Sequence, residues 1–133
     1  MGLSNRKVYL LILCMSLIFS ACNGSPEKKA AKHVKRSDDY IKSAKYREAI
    51  IELKNALQIS PKNADGHYKL GLAHMALGGL TNLQIAFQEF SKAVELDPNI
   101  MDAQLKLGQF YLLSRDADKA REKAEFVLTR DQK

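Results

Sequence analysis

The sequence has no tryptophan, and only 8% of its 133 residues are aromatic, which argues against an aromatic-rich binding surface or a β-sandwich core. Cysteine is equally scarce: Cys14 and Cys22 are the only two. Cys14 lies inside an apolar run, and once that run is removed no internal disulfide can form. The sequence contains no HExxH, GxSxG, CxxC or phosphate-cradling glycine loop. His67 and His74 are seven residues apart, about 10.5 Å along a helix, too far to share one ion without a third group. Asp38 and Asp39 diverge by about 100° on a helix and form no acid–base pair. These absences point away from an enzyme and imply neither a metal nor a cofactor. Charge is mildly basic, with 21 Lys and Arg against 15 Asp and Glu. With Arg6 and Lys7 set aside, 19 basic residues face the same 15, a net +4. Apart from Lys28, Lys29, Lys32, Lys35 and Arg36, the excess is spread out. A nucleic-acid binder concentrates charge along one helix or face, so no nucleic-acid partner is expected.

What is present begins at the N-terminus. Arg6 and Lys7 form a positive region, Val8 to Phe19 ("VYLLILCMSLIF") an apolar one, and the small residues of "SAC" follow. That is the layout of a secretory signal. Twelve helical residues rise about 18 Å against a hydrocarbon core of about 30 Å, so export with processing is favoured over a membrane span. "FSAC" resembles the lipobox of bacterial lipoproteins, in which small residues precede an acceptor cysteine. The resemblance implies a signal peptide at 1–21 and a lipid on Cys22; after it, Gly24, Ser25 and Pro26 discourage regular structure and predict a flexible basic tether over 22–29. Stable anchoring takes at least two acyl chains at about 0.8 kcal/mol per buried CH₂, which a triacylated Cys22 exceeds. Asn23 follows the cysteine where Asp is the usual inner-membrane retention signal, so the outer membrane is favoured over the inner, facing the periplasm. The alternative is an ordinary signal cut near Ala21, leaving a soluble secreted or periplasmic adaptor with a free thiol.

From residue 30 the chain repeats itself. Residues 30–63, 64–100 and 101–133 align, and the first segment has a period of 34. The second carries His67, Leu70, Gly71, His74, Ala86, Phe90 and Pro98; the third Gln104, Leu107, Gly108, Tyr111, Ala120 and Ala124. The first keeps Tyr40, Ala49, Leu53 and Pro61. This resembles the tetratricopeptide (TPR) pattern. The resemblance implies an all-α fold, an α-solenoid of three helix-turn-helix repeats. Helices are expected near 30–43, 46–59, 64–77, 82–96, 99–113 and 116–129, from apolar residues at i, i+3, i+4 and i+7. Three extra residues in "LGGLTN" predict a longer turn inside the second repeat. "AIIELKNALQ" (49–58), behind a lipobox, is similar to TPR lipoproteins of bacterial PEP-CTERM/exosortase exopolysaccharide systems. That similarity implies a membrane-anchored scaffold for envelope assembly, in exopolysaccharide export or pilus biogenesis.

The resemblance places the working surface in a groove lined by the first helix of each repeat. Lys35, Lys69 and Lys106 fall at one repeat position and are expected to face it. Around them lie Val34, Asp38 and Ile41; Tyr68, Leu72 and Met75; Leu105, Gln109 and Leu112. Such a surface suits a protein or peptide partner that brings apolar anchors and an acidic group. One subtype of the family grips a C-terminal carboxylate through lysine and asparagine. Here Asp38 and Lys69 stand where asparagine is required, so that clamp is not implied. In the last helix, Ala124, Phe126, Val127 and Leu128 are expected to lie uncovered, open to a partner or to self-association.

Overall fold

The computed structural model describes residues 25–131, so Cys14, Cys22 and the leader lie outside the described residues. Within them the chain forms six helices: α1 Pro26–Lys42, α2 Tyr46–Ile59, α3 Ala64–Leu77, α4 Leu80–Leu96, α5 Met101–Leu113 and α6 Ala117–Asp131. No strand occurs among the described residues, and no helix there is long and apolar enough to cross a membrane. The expected all-α solenoid of helical hairpins is the observed fold, pairing α1 with α2, α3 with α4 and α5 with α6.

The first boundary corrects the expectation of a flexible tether through residue 29. Ser25 caps α1, accepting from the Lys28 amide at 3.4 Å, and Pro26 supplies a preset first turn with Glu27 beside it. Pro26 to Lys29 are therefore helical. The residues that look like a break are a start signal.

Two hairpin turns share one construction. Ala44 and Arg115 adopt left-handed φ of 55° and 62°. The next amide reaches back to a tyrosine carbonyl, Lys45 to Tyr40 at 2.9 Å and Asp116 to Tyr111 at 2.8 Å. This pattern satisfies the carbonyls left open at a helix end. The middle turn differs. Gly78 and Gly79, at φ 68° and 82°, carry the chain around, and Asn82 donates to the Gly78 carbonyl at 2.8 Å. The Nδ1 of buried His74 lies 2.9 Å from Asn82 Oδ1. Instead of lengthening the turn, most of the three-residue insertion winds into helix, so α4 starts at Leu80 and not near 82.

Buried side chains gather at the junctions between hairpins. Ala49, Ile50 and Leu53 of α2 meet Leu70 and Ala73 of α3. Ala86, Phe90 and Ala93 of α4 meet Ala103 and Leu107 of α5. No hairpin buries its apolar stripe alone, which is the logic of a stacked repeat. Phe90 is fully buried, and a Cβ on Gly71 would stand 2.7 Å from its ring. Ala124 holds the equivalent position in the third hairpin, so a Cβ on Gly108 would meet Lys123 Cβ at an ordinary 3.5 Å.

The last helix also departs from expectation. Val127 is buried, not uncovered, and Phe126 is half-buried with the Arg130 guanidinium 4.3 Å from its ring centroid. Ala124 and Leu128 are exposed. The α2 row facing the next hairpin reads Tyr46, Ile50, Leu53, Leu57, and the α4 row Leu83, Phe87, Phe90, Val94. On α6 the same row is Ala117, Arg121, Ala124, Leu128.

The two glycines should respond oppositely to alanine. Gly71→Ala forces Phe90 or α3 to move and should cost about 1–3 kcal/mol. Gly108→Ala meets no obstacle and should gain up to about 1 kcal/mol from helix propensity. Urea denaturation of both variants checks this; equal effects would show that the two helix approaches are equivalent.

Candidate functional site on the first helix of each hairpin

The faces of α1, α3 and α5 are tied together by polar rungs. Lys69 Nζ of α3 lies 2.9 Å from Asp38 Oδ1 of α1 and 3.0 Å from Asp65 Oδ2 one turn earlier on its own helix. Burial alone would lower the Lys69 pKa, but Asp38 and Asp65 together outweigh it and raise the value. Tyr68 of α3 donates its hydroxyl to Asp102 of α5. Burial first, then the Asp102 carboxylate, pushes the Tyr68 phenol well above its ordinary value.

The lysine row is consequently uneven. Lys35 is exposed and Lys106 half-buried, and neither makes an ion pair among the described residues. Lys69 is half-buried between two carboxylates and is not the free positive head its spacing suggested. Val34 is buried, and Ile41 packs partly buried on the first junction. Tyr68, Leu72 and Met75 pack against the second junction and face the solvent only in part. Leu105 is 43% and Leu112 64% exposed, with Gln109 exposed between them. The open apolar surface on this face is thus concentrated on α5.

A second set of contacts ties each first helix to its hairpin partner. The Nδ1 of His33 lies 2.6 Å from Glu52 Oε2 of α2, and the Nδ1 of His67 2.7 Å from Glu89 Oε2 of α4. A carboxylate only accepts, which puts a hydrogen on Nδ1 of His67; at His33 the donor-only Arg36 Nη2 also lies 2.8 Å from Nδ1, so Glu52 and Arg36 compete for that nitrogen. The Nε2 of His67 lies 2.9 Å from the Pro61 carbonyl, so the ring links α4 to the turn before α3. Gln104 keeps that link to the preceding turn, donating to the Pro98 carbonyl at 3.2 Å. Reading the first helices by themselves does not reveal this pairing. The signal was there: Glu52 and Glu89 occupy one repeat position, opposite the two histidines. Among the described residues, no group of three or more His, Cys, Asp and Glu could hold a metal.

Comparison with known proteins agrees with this architecture. Residues 38–78 match the profile of the TPR repeat family. Over 101 residues, 76% of this chain, the sequence is 31% identical to sperm-associated antigen 1 of Homo sapiens. The chain spans about a tenth of that relative's length, 11%. Among solved structures, the second TPR of Spaghetti (RPAP3), bound to the HSP90 peptide SRMEEVD, superposes with a TM-score of 0.69 at 19% identity. That alignment covers 77% of this chain and 93% of the other. MamA gives 0.70 at 19% identity, covering 81% and 61% of the two chains. The fold is a TPR-like solenoid.

The Glu52 contact carries a pH dependence. The hydrogen bond from His33 chiefly, with Arg36 adding to it, holds the Glu52 carboxyl below its ordinary 4.5. A depressed carboxylate stabilises the fold fully above the unfolded value and less as pH falls through the folded one. The acid limb of the stability curve, below about 4.5, should therefore flatten in Glu52→Gln. Thermal denaturation between pH 7 and pH 3 checks it; parallel curves for the two proteins would refute the assignment.

Proposed function

We propose that this protein is a membrane-anchored TPR scaffold whose α1, α3 and α5 face captures a peptide segment of a partner during bacterial envelope assembly. It carries out no reaction of its own. The observation that carries this reading is the exposed row Leu105, Gln109 and Leu112, flanked by Lys106, on helices spaced by the Asp38–Lys69 and Tyr68–Asp102 rungs. A row of apolar anchors beside an unpaired cation suits an extended or helical peptide with an acidic group. The Spaghetti domain of the same fold is bound to the peptide SRMEEVD, which supports a peptide as ligand.

Anchoring rests on the sequence alone: an apolar run too short to span, then small residues before Cys22, which lies outside the described residues. A lipid there would hold the scaffold at the outer membrane, facing the periplasm. The similarity around "AIIELKNALQ" points to exopolysaccharide export, with pilus assembly as the related case.

Two measurements test the parts separately. Labelled palmitate should enter the protein and be lost in Cys22→Ala; no label in the parent leaves the soluble adaptor instead, and label retained in the variant overturns Cys22 as the attachment point. Photo-crosslinking in intact cells from positions 105 and 112 should capture partners. Capture should fall about tenfold in a Lys35→Glu/Lys106→Glu variant of unchanged helicity. Lys69 is a poor test position, because reversal there sets a third carboxylate beside Asp38 and Asp65. Undiminished capture would remove this face from consideration.

A further inference from the structure

The insertion in the second repeat has built something that the other hairpins lack. The α2 start, Tyr46, corresponds to Leu83, so α4 carries an extra N-terminal turn beginning at Leu80. That turn walls a pocket of about 740 Å³ on the edge of the solenoid where the hairpins turn. Leu80, Leu83 and Phe87 of α4 line one side, and Phe110, Tyr111 and Leu113 of α5 the other. Phe87 stands edge-on to Phe110 and to Tyr111, each at 5.7 Å between centroids, and makes the floor stiff. Leu80 is 75% and Leu113 78% exposed at the rim. The equivalents of Leu113 are Lys42 and Ala76, and Leu80 has none, so this patch is local to the second junction. Large exposed apolar side chains gathered at a concave site mark a binding surface on an otherwise charged molecule.

Charge says what would bind there. Residues 80–88 and 110–114 contain no charged side chain. At the α5 end stand Arg115, exposed and without an ion pair among the described residues, and Lys119, whose ammonium lies 5.3 Å from the Tyr111 centroid. Lys119 also pairs with Asp116 at 3.0 Å and Arg121 with Asp118 at 2.9 Å, so the charge left over there is that of Arg115. We infer that this edge pocket docks an acidic amphipathic helix of a partner protein. Its apolar side chains, one turn apart, enter between α4 and α5, and its carboxylates meet Arg115 and Lys119. The site is separate from the face formed by α1, α3 and α5, and a scaffold with both could hold two partners at once.

The test uses a fluorescein-labelled helical peptide with leucine at i, i+3 and i+7 and glutamate elsewhere, and a twin with lysine for every glutamate. The acidic peptide should bind the protein, and the basic twin at least about tenfold more weakly. Leu80→Ser/Leu113→Ser should weaken acidic-peptide binding by about tenfold or more. Both positions are so exposed that the thermal unfolding should not move. Arg115→Glu should weaken it further at low salt than at high salt. Equal binding of the two peptides, or binding indifferent to the leucine variant, overturns the proposal. Loss of binding only in Lys35→Glu/Lys106→Glu would place the peptide on the other face and overturn it too. Should the parent instead self-associate in sedimentation, or bind phosphatidylglycerol vesicles without binding the peptide, and the leucine variant do neither, the occupant is a second copy or a membrane, and the peptide proposal fails.

Discussion

The contact between Phe90 and the bare backbone of Gly71 holds the middle of this solenoid together. The ring is fully buried and lies where any side chain on Gly71 would have to go. From there it reaches Tyr68 at 6.0 Å and Phe110 at 6.2 Å between centroids, so one side chain touches α3 and α5 from α4. Emptying such a site costs about 3–5 kcal/mol, a large share of the 5–15 kcal/mol that folds an ordinary domain. The first hairpin solves the problem with smaller parts: Leu53 is fully buried in Phe90's position, and Ser37 takes the glycine position with its hydroxyl satisfied by the Val34 carbonyl at 2.6 Å. The third has only Ala124 there. Packing is tightest in the middle and thinnest at α6.

Against that apolar frame, the polar rungs are small terms. Lys69 and Asp38 keep 21% and 36% of their side chains exposed, and pairs of that kind are worth about 0–1 kcal/mol. Their effect is on placement. Lys69 between Asp38 and Asp65, and Tyr68 on Asp102, fix neighbouring helices in register while using up the charge at the centre of the face. Unpaired charge is left at Lys35 and Lys106, and open apolar surface at Leu105 and Leu112. A ligand of this face therefore meets its strongest contacts toward α5, not evenly along the row.

The sequence made the helices more legible than the contacts. α2 and α3 lie where periodicity alone puts them, because turn signals bracket both ends: Tyr46 after the left-handed Ala44, Asn63 as a cap accepting from Gly66 at 2.8 Å. The α1 start was misread because Gly24, Ser25 and Pro26 were weighed as breakers, although Ser before Pro and Glu is also how a helix begins. The α4 start moved because an insertion next to a helix can wind into it as easily as it can loop out. Lys69 was placed on the correct helix, but its partner is 31 residues away, and one-dimensional spacing does not show which side chain of the neighbouring repeat is opposite. The His–Glu pairs required aligning second helices as well as first ones.

The two ends of the stack clarify what the exposed leucines are for. On α1, Arg36 and Asp39 take the positions that are Leu70 and Ala73 in α3 and Leu107 and Phe110 in α5, so the leading face of the array is polar. On α6, Ala117, Arg121 and Ala124 offer a following helix far less apolar surface than the rows of α2 and α4 do. Among the described residues, these two faces carry less apolar surface than the junctions between hairpins do. Leu105 and Leu112 lie on the face of the first helices, Leu80 and Leu113 on the turn edge. Neither location serves the repeat-on-repeat geometry that builds the core. Their exposure lies on surfaces where something other than another such hairpin has room to bind.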